Sequence, residues 1–63
     1  MIELHQLFYG TIVKDDKELE YRFINHCFCS NNSNPDLTFS DIEGNLIGKK
    51  LSEIQEKEWK ILV

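Results

Sequence analysis

His5, His26 and Glu3 are the first residues to weigh for chemistry. Residues 2–13 and 18–29 read as two strands of a hairpin, with residue i facing residue 31 − i. His5 then faces His26, and Glu3 lies two residues away on the same face. Directly opposed side chains have Cβ atoms about 4.5–5.5 Å apart. Two imidazoles at that spacing could share a divalent ion, with Glu3 as an oxygen ligand. They also resist double protonation, which would make the patch sensitive to pH. No second carboxylate is placed beside them by sequence. The expectation is therefore a partly exposed histidine pair, with no metal and no other cofactor; a small metal-binding protein is one alternative reading.

Cys27 and Cys29 form a C-x-C pair. Residues two apart on a strand lie about 6–7 Å apart and point the same way. That is the edge of disulfide geometry, so both are expected to be free thiols in a reducing compartment. A thiolate metal site would need a second cysteine pair, and the sequence has none. Ser30, Ser33, Ser40 and Ser52 sit in no nucleophile motif, and Gly10, Gly44 and Gly48 are too dispersed for a phosphate loop. The chain is not expected to be an enzyme.

Charge narrows the partners. Eleven acids and seven bases give a net charge of −4, and Lys49-Lys50 is the one tight basic pair. Direct nucleic-acid binding is disfavoured, because such binders carry a basic stripe. Asp15, Asp16, Glu18 and Glu20 form a candidate acidic contact surface. Carboxylates two apart on a strand recur every ~6.7 Å, close to the spacing of phosphates. An acidic nucleic-acid mimic that blocks a basic groove is thus a second alternative. No leader or membrane segment is evident, so no membrane partner is expected and the default compartment is the cytoplasm.

These residues must be held by a single small domain, 63 residues long and 41% hydrophobic. The reading is mainly β with one short helix. Strands are expected over 2–13, 18–29, 37–43, 46–49 and 58–63, with a helical turn over 52–57 opened by a capping box at Ser52-Glu53-Ile54-Gln55. A longer helix from Ser52 to Leu62 is the rival for the C-terminal segment. Asp15-Asp16 and Gly44-Asn45 are expected as two-residue turns. This element order is that of a small five-stranded SH3-like or Sm-like half-open barrel.

In the inferred register Ile2, Leu4, Phe8 and Ile12 pack against Cys29, Cys27, Phe23 and Leu19, with Gln6 facing Asn25 and Gly10 facing Tyr21. Phe8 and Phe23 are then core, and Val13 is not. Two straight twelve-residue strands would run about 40 Å, so a bend at Gly10 is expected. The other face carries Leu7, Tyr9, Ile24, Phe28, His5 and His26. It is the candidate interface, for a protein partner or for a second copy of the chain in a homo-oligomer. The function expected is that of a small protein-binding module, of the inhibitor or regulator kind that acts on a larger protein.

Overall fold

The computed structural model describes residues 1–62. A single 3₁₀ turn, Leu4–Gln6, precedes β1 (Ile12–Lys14), β2 (Glu20–Cys27), β3 (Asp36–Ser40), β4 (Leu46–Lys50), α1 (Leu51–Glu56) and β5 (Lys60–Ile61). The five strands form one open antiparallel sheet in the order β4-β3-β2-β1-β5. The molecule measures 29 × 22 × 17 Å.

The expected first strand is broken up. Gly10, at φ +93°, is the third residue of a turn closed by the Thr11 N–H donating to the Phe8 carbonyl at 2.9 Å. A positive φ there suits glycine and few other residues. The Gly10 N–H donates to the Phe23 carbonyl at 2.9 Å, and the Phe23 N–H donates to the Thr11 carbonyl at 2.8 Å. Two residues thus oppose one, as in a bulge. The bend expected at Gly10 is present, and it leaves β1 only three residues long.

The register is corrected with it. Ile12 pairs with Arg22, Val13 with Tyr21 and Lys14 with Glu20, an offset of three from the expected pairing. An odd offset exchanges the two faces of a strand. Val13 is fully buried and Ile12 turns outward, whereas Tyr21 and Phe23 point inward as expected. Phe8 is 69% exposed and Leu7 is buried, the reverse of the expected assignment. Leu19 is exposed as well. Gln6 does not face Asn25; it accepts a hydrogen bond from the Glu3 N–H at 2.8 Å.

The cause lies in the turn. Asp15 and Asp16 are not its two central residues. The Asp15 N–H bonds the Leu19 carbonyl at 2.9 Å, leaving a three-residue loop whose last member, Glu18, has φ +68°. A type I turn followed by a left-handed residue is a standard three-residue hairpin connection. β3 likewise stops at Ser40, because Asp41 opens a turn that runs to Asn45. A register shift between Phe23 and Asn25 then sets Ile24 apart in β2, so that Asn25 pairs with Thr38.

α1 begins one residue before the expected 52–57 span, and its cap lies two residues before Ser52. Lys50 is its N-cap, and the Lys50 N–H donates to Glu53 Oε1 at 3.0 Å. Ser52 lies inside the helix and is capped from the 30–36 loop. Asn34 Oδ1 accepts from the Ser52 N–H at 3.1 Å, and Asn34 Nδ2 donates to Ser52 Oγ at 3.0 Å. The helix does not continue to Leu62. Glu58, at φ +57°, turns the chain, and the Trp59 N–H closes onto the Ile54 carbonyl at 3.0 Å. β5 then joins β1 through Val13–Ile61 and Lys14–Lys60. The end of the expected 58–63 strand, Val63, lies outside the described residues.

The core lies between the inner face of the sheet, α1 and the N-terminal segment. Ile2, Leu7, Val13, Phe23, Leu37, Phe39, Ile54 and Trp59 are buried in it. Each such side chain contributes about 1.5–3 kcal/mol of transfer free energy. Phe39 meets Phe23, Tyr21 and Trp59 at centroid distances of 5.7, 6.4 and 5.4 Å. Gln55 Nε2 donates to the Ile2 carbonyl at 2.9 Å and so ties the N-terminus to the helix.

Candidate functional site

The structure divides the expected interface. Leu7 belongs to the core, and Ile24 is half-buried at the register shift. Tyr9, Phe28, His5 and His26 are exposed. His5 sits in the 3₁₀ turn rather than on a strand, so the cross-strand histidine pairing is lost. The register partner of His26 is Leu37, and its ring meets Phe28 edge-on at 5.7 Å. Among the described residues no three His, Cys, Asp or Glu side chains converge as a metal-holding set.

The acidic surface is also altered. Asp15 Oδ1 accepts from the Lys17 N–H at 2.8 Å and the Leu19 N–H at 2.9 Å, and Oδ2 accepts from the Tyr21 hydroxyl at 3.1 Å. Burial pushes the Asp15 carboxyl up. The Leu19 and Lys17 N–H groups, the Tyr21 hydroxyl and the Lys17 charge outweigh this and hold it below its ordinary value. The Tyr21 hydroxyl is raised, by burial first and then by the Asp15 bond and nearby carboxylates. Asp15 is thus committed to its turn, while Asp16, Glu18 and Glu20 are exposed at the hairpin tip. Asp41 repeats the arrangement. Its Oδ1 accepts from the Glu43 N–H at 2.9 Å and the Asn45 N–H at 2.8 Å. Its carboxyl is lowered, with the Asn45 N–H the leading cause.

Sequence reasoning missed a different surface. On the outer face of the sheet, Ile12, Arg22, Ser40 and Leu46 stand in one cross-strand row. Beside it lies a concavity of about 340 Å³, lined by Ile12, Arg22, Ser40, Glu20 and Ile42 among others. Ile42 is 95% exposed and Leu46 69% exposed. The available signal was Ile42 itself, a large aliphatic residue inside the turn sequence Asp-Ile-Glu-Gly-Asn. A smaller concavity, about 230 Å³, lies between the first hairpin tip and α1. Tyr21 and Trp59 stack there at 5.2 Å, and Lys17, Lys49, Lys57 and Glu53 also line it.

At the far end of the outer face, Cys27, Asp36 and Lys50 form a second row in register. Lys50 Nζ lies 2.6 Å from Asp36 Oδ1 and donates to Ser30 Oγ at 2.9 Å; Ser30 Oγ donates to Asp36 Oδ2 at 2.9 Å. The Lys50 ammonium first, and then the Ser30 hydroxyl, hold the Asp36 carboxyl below its ordinary value. Cys27 and Cys29, expected as free thiols, stand side by side here. β2 ends at Cys27, and the chain bends instead of running on as a strand. The Cα atoms are thereby drawn to 5.2 Å, inside the disulfide range.

Compared with protein-family models, with curated proteins and with solved structures, the chain matches none.

Proposed function

We propose that this chain acts by binding another protein through the outer face around Arg22, Ile42 and Leu46. One observation carries the reading. Among the described residues, eight large apolar side chains are buried in the core and eight are exposed. Of the exposed ones, Ile42 and Leu46 stand by the same outer-face row as Ile12 and Arg22, and contiguous apolar patches mark contact sites. Arg22 supplies a fork of donors at the centre, able to pair with a carboxylate or carbonyl of the partner. The net charge of −4 favours approach by a basic protein. A domain this small, acting by contact, is suited to inhibiting or regulating a larger one. The strand order, with α1 between β4 and β5, supports reading the sheet as a half-open SH3-like or Sm-like barrel.

The test is affinity capture from the source cells with three immobilised chains: the natural sequence, Phe8→Asp, and the double variant Ile42→Asp with Leu46→Asp. All three positions are exposed, so each variant should fold. The expected result is a protein held by the first two and lost by the double variant. Equal retention by all three, or no specific retention by the natural chain, rejects the reading.

A further inference from the structure

We propose that β4 pairs edge to edge with β4 of a second copy of the chain, antiparallel, about a two-fold axis at Ile47. The sheet has two borders, β4 and β5. β5 spans two residues, whereas β4 spans five, Leu46–Lys50. At the two ends of the β3–β4 ladder, the Asp41 N–H donates to the Asn45 carbonyl and the Leu51 N–H to the Pro35 carbonyl. Bonded and unbonded pairs alternate along an antiparallel ladder. Phe39–Ile47 and Leu37–Lys49 are therefore bonded pairs, and the backbone groups of Leu46, Gly48 and Lys50 point to the open border. Those of Lys50 are used by its own helix. Its N–H donates to Glu53 Oε1, and its carbonyl is that of the N-cap, which accepts the first helical bond. The N–H and C=O groups of Leu46 and Gly48 have no partner among the described residues. Such a row is a template for another strand.

These groups fix the occupant, because they satisfy one another. With Ile47 on the axis, Leu46 stands opposite Gly48 of the second copy, and Gly48 opposite its Leu46. Each facing pair exchanges two hydrogen bonds, so the open groups of both copies are all used and no others are needed. The side chains agree with the backbone. Leu46 is 69% exposed. Apart from its chain neighbours, no atom lies within 4 Å of where a Cβ on Gly48 would stand. The leucine of each copy covers the bare backbone of the other's glycine. Ile47, which packs against the core from its own strand, meets its counterpart on the inner side. Lys49 faces Asn45 rather than another lysine. The neighbouring registers fail. An axis at Gly48 needs the Lys50 groups, which are already engaged. An axis at Lys49 sets like charges face to face. At the seam the two outer faces join into one surface, with Leu46 of each copy beside it.

The experiment is sedimentation equilibrium of the full chain and two double variants at high micromolar concentration. The first variant is Leu46→Glu with Gly48→Glu, which opposes two carboxylates in both facing pairs. The second is Leu46→Lys with Gly48→Glu, which opposes an ammonium and a carboxylate in both. Both positions are exposed, and Gly48 has open space for a side chain, so both variants should fold; circular dichroism checks this. We expect the natural chain to form a dimer. The second variant should keep its dissociation constant within about threefold, and the first should weaken it by about tenfold or more. A contact made by the apolar face alone would lose both variants alike. Equal weakening of the two therefore overturns the proposal. So does a natural chain that stays monomeric, or one that grows past a dimer as concentration rises.

Discussion

Glu18 and Gly44 occupy the same position in two turns of the same build. In each, an aspartate begins the turn: Asp15 bonds Leu19 and accepts from Glu18, and Asp41 bonds Asn45 and accepts from Gly44. In each, the fourth residue is left-handed, at φ +68° for Glu18 and +88° for Gly44. One turn has the residue this geometry prefers, and the other does not.

Glu18→Gly should therefore stabilise the protein. A side chain in the left-handed region costs about 1–2 kcal/mol, and glycine's extra freedom in the unfolded chain returns part of that. A net gain of about 0.5–1 kcal/mol is expected, read as a higher urea midpoint with unchanged slope. Gly44→Ala should lose about 1 kcal/mol by the same reasoning. A destabilising Glu18→Gly would mean that the Glu18 side chain supplies something the turn geometry does not.

Core truncations separate the observed register from the expected one. Phe39→Ala should cost about 3–5 kcal/mol and unfold most of the protein. Phe8→Ala, at a side chain 69% exposed, should change stability by less than about 0.5 kcal/mol. Thermal unfolding by circular dichroism distinguishes the two. Comparable losses would place Phe8 in the core.

Acid stability follows from Asp15, Asp36 and Asp41, whose carboxyls are all held below the ordinary value of 3.8. The folded state keeps these groups charged at a pH where the unfolded chain already binds protons. Their contribution is thus complete above about pH 5 and is lost as pH falls through the lowered values. Stability measured by urea titration should be level from pH 7 to 5 and should fall below about pH 4. In the Asp15→Asn, Asp41→Asn double variant the fall should be shallower. An unchanged acid limb would remove the two turns from its cause.

Self-association is expected through the outer face. At high micromolar concentration the chain should sediment above its monomer mass of 7.4 kDa, and the Ile42→Asp, Leu46→Asp double variant should return to it. A natural chain that sediments as a monomer leaves the face free for a different protein only.

The sequence revealed the order of elements, the inward side of Tyr21 and Phe23 in β2 and the end of the helix, because these rest on local pattern. Tyr21 and Phe23 alternate with Glu20 and Arg22, and nothing disturbs that alternation before Ile24. The register did not follow from pattern. It turns on one extra residue opposite Phe23 and on the Asp15 carboxylate folding back over its own turn. Neither changes the composition of the segment, yet together they invert β1. The candidate surface was misplaced for the same reason. A register that puts Phe8 inside puts Leu7 outside, and the histidine pair requires a strand where the chain makes a 3₁₀ turn.

β5 holds to the sheet by two register pairs and the hydrogen bond from the Leu62 N–H to the Ile12 carbonyl. It has the fewest pairings of the five strands, so its amides should exchange with solvent long before those of β2 and β3. When it lifts away, the backbone of β1 loses its cover and becomes a second open border of the sheet. The vacated place fits a strand of matching pattern, including the same segment of another copy. At high concentration, copies could trade their last strands across this border, making a swapped pair that separates only on unfolding.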